Sequence, residues 1–282
     1  MNSSIFKGRK AIIVTKHGKE KAISPVLLGS IGLNCVSFTD FDTDTLGTFT
    51  GEHSRQNDVQ EVLRQKCMAG LNATNYEIAI ASEGSFFTHP QIWIRQCNEE
   101  RLIIIDKKND IEITAITHSF DTNHAQKTIN NWSDLLYFAQ KAGFPKHALI
   151  LRPGTSAYKG QVKGIRKEEI LKNIFHHLYD LHGAVHVETD MRAMFNPSRM
   201  KVIEMAARKL SDKILSLCPA CQWPGFDVIA HKMGLPCSEC DHPTQSLFAL
   251  TYQCIKCKYE EERLYPKGKT KEDPQYCDQC NP

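Results

Sequence analysis

The sequence has no long apolar run, and this absence argues against a membrane-spanning helix, which needs about 20 consecutive apolar residues. Its first residues, MNSSIFKGRKAIIV, lack the apolar core of a secretory signal peptide, so we expect a cytoplasmic protein without membrane contacts. The sequence also lacks a large excess of either sign of charge. It has 35 lysines and arginines and 32 aspartates and glutamates, which gives a formal net charge of +3. This balance is too even to indicate nucleic-acid binding by itself.

Short β-branched runs alternate with helical patterns over the first 150 residues, which is typical of an α/β protein. Residues 10–15, 33–38 and 77–81 predict three strands, and residues 101–106 and 111–117 predict a hairpin. We therefore predict an α/β domain over residues 1–217, with a mixed sheet flanked by helices. A small cysteine-rich module over residues 218–282 follows it.

Cysteine is abundant in that module, where four C-x-x-C pairs predict metal sites of the kind found in reducing compartments. The pairs are Cys218 and Cys221, Cys237 and Cys240, Cys254 and Cys257, and Cys277 and Cys280. Two such pairs complete one tetrahedral Cys₄ site, so we predict two structural zinc ions in a double zinc-ribbon-like module. The spacing favours one ion shared by the first and second pairs and another shared by the third and fourth pairs. Alternatively, the second and third pairs share one ion, and the first and fourth pairs share the other. With four thiolates, neither ion would keep an open position for catalysis.

The acidic stretch DFDTDTLGTFTGE, residues 40–52, suggests a calcium loop but fails the register of one. Asp40, Asp42 and Asp44 supply the first three ligands, whereas the glycine of position six is replaced by threonine. The closing glutamate arrives one residue late, as Glu52. The acids therefore need another role.

Polar residues follow each predicted parallel strand, where an α/β sheet commonly binds anions. The sequence contains no G-x-x-x-x-G-K-[ST] phosphate loop, so any phosphate site would have to consist of other residues. We expect one pocket to collect Thr15, His17, Lys19, Asp42, Asp44, Glu83 and the helix residues Arg55, Glu61 and Lys66. The alternative is that the helix residues are solvated faces.

The order T-x-H-G-K, then a helix with Glu61 five residues before Lys66, then ASEGS resembles inosine/xanthosine triphosphate pyrophosphatases and their Maf-like relatives over residues 10–86. The resemblance implies that Thr15, His17 and Lys19 contact phosphates, and that Glu61 and Glu83 hold magnesium. The sequence departs from that pattern where histidine replaces an asparagine and where ASEGS keeps a single acid.

A second likeness covers nearly the whole chain, through DTDTLGTFTGE, ASEGSF, ETDMRAMFNPSRM and the cysteine pairs. These segments resemble a family of bacterial proteins of unknown function, which implies the same domain limits and paired zinc knuckles. The likeness draws attention to Asp190, Arg192, Asn196 and Arg199 at a predicted helix start. The two arginines suit a phosphate or carboxylate partner, or an ion-pair network that anchors the helix.

Two functional hypotheses follow. The first is a metal-dependent hydrolase of a nucleotide or another phosphorylated small molecule, with Asp42, Asp44, Glu61 and Glu83 as catalytic acids around magnesium. Its substrate would be bound by Thr15, His17, Lys19, Arg55, Lys66, Arg192 and Arg199. The alternative is an adaptor whose zinc module binds nucleic acid or protein through interleaved lysines and tyrosines, although three consecutive glutamates interrupt that run.

Overall fold

The computed structural model describes residues 5–40, 58–88, 95–154 and 160–282. Residue contacts divide the chain into two compact units, Met1–Ser211 and Asp212–Pro282. The sequence pattern placed the boundary at the first cysteine pair, whereas the contacts place it six residues earlier, inside the last long helix. No helix among these residues is long and apolar enough to cross a membrane.

A five-stranded mixed sheet forms the first half of unit 1. Its strands are β1 (Lys10–Val14), β2 (Asn34–Phe38), β3 (Ile78–Thr88), β4 (Gln96–Asp106) and β5 (Ile111–Ser119), in the order β2-β1-β3-β4-β5. The first three are parallel, and β4 and β5 continue the sheet antiparallel, so the predicted mixed sheet and its hairpin are confirmed. Helices α1 (Glu20–Ile31) and α2 (Val59–Ala73) lie between the parallel strands in sequence.

Strand β3 is longer than its sequence pattern indicated. The apolar run ends at Ala81, but β3 continues to Thr88 because β4 pairs with it along its whole length. Strand β1, in contrast, pairs with β3 only as far as Val14 opposite Ala81. The residues after Ala81 therefore form a strand edge that β1 does not cover, and Glu83 lies within the strand instead of in a loop after it.

A four-stranded antiparallel sheet forms the second half of unit 1. Its strands are β6 (Gln126–Ile129), β7 (Leu149–Pro153), β8 (Val162–Ile165) and β9 (Val185–Thr189), in the order β6-β9-β7-β8. Helices α3 (Trp132–Ala142) and α4 (Glu168–His182) contribute apolar side chains to the core on this sheet. In α4, Leu171, Phe175 and Leu178 recur at the spacing of one helical face, and all three are buried there.

The last long helix, α5 (Pro197–Leu215), begins directly after Asn196, whose side-chain oxygen accepts a hydrogen bond from the Arg199 amide at 3.0 Å. An asparagine in this position satisfies a backbone donor that the first turn leaves without a partner. Unit 2 contains an antiparallel sheet of β10 (Asp227–Met233), β11 (Leu247–Gln253) and β12 (Glu260–Leu264), with β11 in the middle.

Candidate functional site

Lys19 occupies the uncovered edge of β3. The chain turns after β1, where the Thr15 hydroxyl accepts a hydrogen bond from the His17 amide at 3.3 Å, and Lys19 then precedes the first residue of α1. Its side chain is buried, and its Nζ donates to the carbonyl oxygen of Ser82 at 3.0 Å. The ammonium thus supplies a partner for a backbone acceptor of β3 beyond the end of β1.

Two buried ion pairs lie on opposite faces of β3. Because side chains alternate along a strand, Glu83 points to the side of α2, where it pairs with Lys66. Gly84 faces the other way, opposite Glu100 of β4, and there Glu100 Oε1 accepts from Arg199 Nε at 2.6 Å. Arg199 and Glu100 have no solvent exposure.

Gly84 leaves room for the second pair. A β-carbon at this position would collide with the Arg199 guanidinium and the Glu100 carboxylate. The Arg199 Nη1 also donates to the carbonyl oxygen of Met191 at 2.5 Å, which joins α5 to the segment after β9. A glycine in this strand is therefore explained by the close approach of two charged side chains.

These five charged groups, which we call the charged cluster, are Lys19, Lys66, Arg199, Glu83 and Glu100. Three are cations and two are anions, in surroundings from which water is largely excluded. The pKa of Lys19 is lowered to about 7, chiefly because burial disfavours the charged ammonium and secondly because of the positive charge of Arg199, while Glu100 and Glu83 oppose this effect. An anion at Lys19 would offset the positive excess.

The thiols of unit 2 form two groups of four. One consists of Cys218, Cys221, Cys254 and Cys257, and the other of Cys237, Cys240, Cys277 and Cys280, with the sulfurs of each group within 4.8 Å of one another. Sulfur separations such as 3.7 Å for Cys218 to Cys257 and 3.6 Å for Cys240 to Cys277 agree with a zinc tetrahedron, whose sulfurs lie about 3.8 Å apart. Each group could hold a zinc ion.

The structure corrects both predicted pairings of the C-x-x-C motifs, because the first motif joins the third and the second joins the fourth. The antiparallel strands bring this about. Asp227 at the start of β10 lies opposite Gln253 at the end of β11, so the motifs before β10 and after β11 meet at one end of the sheet. Leu264 at the end of β12 lies opposite Ala249 near the start of β11, and the other two motifs meet towards that end.

Comparison with protein families identifies a matching family. The family described as "Domain of unknown function (DUF6671)" matches residues 66–282. The chain belongs to this family. A search of the curated proteins finds no match. The matched span begins at Lys66, so it contains both buried ion pairs and all eight paired cysteines, but not Lys19. The description of the family names no activity, and the likeness to pyrophosphatases stays a prediction.

Among the other predicted site residues, Glu61 lies apart from the charged cluster. It is exposed on the first turn of α2 and accepts a hydrogen bond from Gln65 at 3.2 Å. Lys66, in contrast, is buried. Five residues correspond to about 140° around a helix, so the side chains of Glu61 and Lys66 lie on different faces of α2. The predictions for Asp42, Asp44 and Arg55 lie outside the described residues.

Arg192 forms a separate ion pair from Arg199. Its Nε and Nη2 donate to the two carboxylate oxygens of buried Asp190, at 3.0 and 2.6 Å, and its guanidinium lies 4.5 Å from the ring centre of Phe195. Asp190 also accepts from the amide of Gly164 at 3.1 Å. Both arginines thus take part in ion pairs around the start of α5, and their role in substrate binding stays a prediction.

Sequence reasoning missed Glu100 and Ser82. Glu100 precedes the apolar run that predicted β4, so it was assigned to no element, although the structure begins β4 at Gln96. The polar run from Asn98 to Arg101 beside a strand was the available signal. Ser82 contributes through its backbone, which no side-chain pattern reveals.

The aromatic side chains of unit 2 pack largely on its own residues. Lys256 lies 3.4 Å from the ring centre of Trp223, and Arg263 lies 4.3 Å from that of Tyr252. Tyr252 also stacks on Phe226, with ring centres 5.5 Å apart. These contacts leave less ring surface for stacking nucleic-acid bases. Binding of nucleic acid or protein by the module stays a prediction.

Proposed function

We propose that unit 1 is a hydrolase of a nucleotide or another phosphorylated small molecule, and that Lys19 binds the phosphate. The observation that carries the proposal is the position of Lys19, which is buried before α1 and bound to the Ser82 carbonyl beside Arg199. An α/β fold commonly places anions where a strand is followed by a helix start, because backbone amides and the helix dipole point there. Thr15 and His17 belong to the same turn and would contact the phosphate with it.

The charge of the cluster supports a phosphate more than a cation. Glu83 and Glu100 are each paired with a cation, and burying Lys19 lowers its pKa. Binding of phosphate would restore the protonated form of Lys19, because a nearby negative charge favours the charged ammonium.

Magnesium does not fit the described part of the charged cluster by itself. Glu83 would have to give up Lys66 to bind a cation, and the cysteine groups are the only metal-type clusters of three or more ligands among the described residues. The dependence on magnesium therefore rests on the predictions for Asp42, Asp44 and Glu61.

The hydrolase proposal is tested by phosphate and pyrophosphate release from a panel of nucleotides and sugar phosphates, with and without magnesium. We expect release by the natural chain and by Lys21→Met, which removes an exposed lysine of α1. Lys19→Met should reduce turnover about 100-fold or more, because one lost donor to a developing charge has that effect. If no compound is turned over and none shifts the unfolding temperature, the proposal is wrong.

We also propose that each four-cysteine group holds one structural zinc ion. The support is the sulfur spacing together with the thiolate-only ligand set, which zinc favours. Zinc in such closed sites stabilises small modules that have little hydrophobic core of their own. In unit 2 the buried apolar cluster is small and includes two of the ligands, Cys218 and Cys254, beside Phe226.

A further inference from the structure

A small cavity of unit 1 lies beside the charged cluster and has no part in the proposed phosphate site. Its volume is about 120 Å³, and its wall includes Phe86, His124, Ile150, Glu188 and Arg192. The wall of this small cavity therefore combines an apolar side chain with two aromatic rings, one acid and one base.

The aromatic side of the cavity is a stacked pair. The rings of Phe86 and His124 lie 5.4 Å apart at an angle of 26°, and His124 Nδ1 is 3.1 Å from Gln96 Oε1. Burial lowers the pKa of His124, so the imidazole is neutral at physiological pH. A neutral, flat wall of this kind favours a flat, uncharged ring as its ligand.

The polar side of the cavity offers one acceptor and one donor. The Oε1 of Glu188 is buried and has no hydrogen-bond partner within the described part of the chain. Arg192 uses Nε and Nη2 for Asp190, while its Nη1 makes no hydrogen bond to any described residue. Buried polar atoms are rarely left without partners, so Glu188 Oε1 calls for a ligand that carries an N–H group. The partly exposed Arg192 can donate from Nη1 to a ligand C=O group.

The size of the cavity selects among flat ligands. A protein cavity of about 150 Å³ accommodates a benzene molecule. A volume of about 120 Å³ therefore suits one six-membered ring and is small for a fused pair of rings. Ala125 and Gln126 in the wall are exposed, so substituents of that ring can extend into solvent.

We propose that this cavity binds a pyrimidine base, with the ring beside Phe86 and His124, an N–H donated to Glu188 and a carbonyl accepting from Arg192. The inference deepens the proposed hydrolase, on which it rests for the phosphorylated part of the ligand, by naming pyrimidine nucleotides as the substrate class. The cavity and the charged cluster share a wall, since the Arg199 guanidinium lies 5.4 Å from the ring centre of Phe86.

The test uses nucleosides, which lack phosphate, so that it does not depend on hydrolysis. Calorimetric titration of the full chain with cytidine, uridine, adenosine and guanosine should show pyrimidine binding at least about 10-fold tighter than purine binding. Glu188→Met should weaken pyrimidine binding about 10-fold, because it removes a charged acceptor. Glu169→Met, which removes an exposed glutamate of α4, should leave it unchanged.

The outcomes separate the two proposals. Pyrimidine binding that depends on Glu188 supports the inference even if no phosphate is ever released, in which case the proposed hydrolase fails alone. Turnover of nucleotides with equal use of purines and pyrimidines, unaffected by Glu188→Met, would overturn the inference and leave the hydrolase standing. Absence of nucleoside binding at millimolar concentration also overturns it. Thermal unfolding of the variant shows whether it is folded, and Phe86→Leu, which removes the stacking wall, gives a second variant for the same titration.

Discussion

Replacement of Lys19 by methionine should stabilise unit 1 at neutral pH. The pKa of this lysine falls from 10.5, its ordinary value, to about 7 in the folded protein, chiefly because burial disfavours the charge. The whole shift corresponds to about 5 kcal/mol, and nearly all of it still applies at pH 7. Methionine removes this cost of burying a charge. It also leaves the Ser82 carbonyl without its hydrogen-bond donor, which costs about 1–3 kcal/mol. We therefore expect a net gain of about 2 kcal/mol.

The same shift determines how the stability of the natural chain depends on pH. Between pH 7 and 10.5 the unfolded chain keeps the Lys19 proton while the folded chain loses it, so the free energy of unfolding rises with pH. The expected rise from this residue is about 2 kcal/mol between pH 7 and pH 9. The advantage of Lys19→Met over the natural chain should shrink by the same amount over that interval.

Hydrogen exchange of peptides from β1 and β3 measures this effect, because it reports the opening of unit 1 without a contribution from unit 2. The natural chain, Lys19→Met and the control Lys21→Met would be compared at pH 7, 8 and 9, after correction for the intrinsic exchange rate. If the difference between the natural chain and Lys19→Met does not change with pH, Lys19 is not buried with a lowered pKa.

Two further predictions concern the buried charges and the cysteines. Arg199→Met should destabilise unit 1 by about 3–5 kcal/mol in urea unfolding, because it leaves the carboxylate of Glu100 buried without its cation, and a loss under 1 kcal/mol would contradict this. Metal analysis should find two zinc ions in the natural chain. Replacing Cys218 and Cys257 together by serine should remove one zinc ion, whereas replacing Cys218 and Cys240 should affect both, and the reverse result would refute the crossed pairing.

Local spacing was enough to predict several elements of this protein. Runs of β-branched residues identify β1 and β2, and the KKND turn between two apolar runs identifies the β4–β5 hairpin. The four C-x-x-C motifs predict metal-type clusters because two thiols separated by two residues can bind one ion from a single turn. In each of these cases the interacting groups are close in sequence.

Long-range contacts were beyond this kind of inference. Glu100 and Arg199 are 99 positions apart, and Lys19 and Ser82 are 63 apart, so no periodicity connects them. Whether Glu61 lies in the same site as Lys66 depends on which face of α2 the sheet covers. The sequence pattern of the helix did not determine that face. The cavity at Glu188 arises only when β9 is folded beside the end of β3.

The sequence by itself determined that the chain has an α/β part, that four thiol pairs follow it and that polar residues come after the first strand. Only the tertiary structure decided that Lys19 closes the uncovered edge of β3, that two ion pairs are buried on the two faces of that strand and that the cysteine motifs pair in a crossed order. The physical reason is the same in each case. Strand length and register determine which distant residues meet, and they follow from pairing between strands, which no single segment specifies.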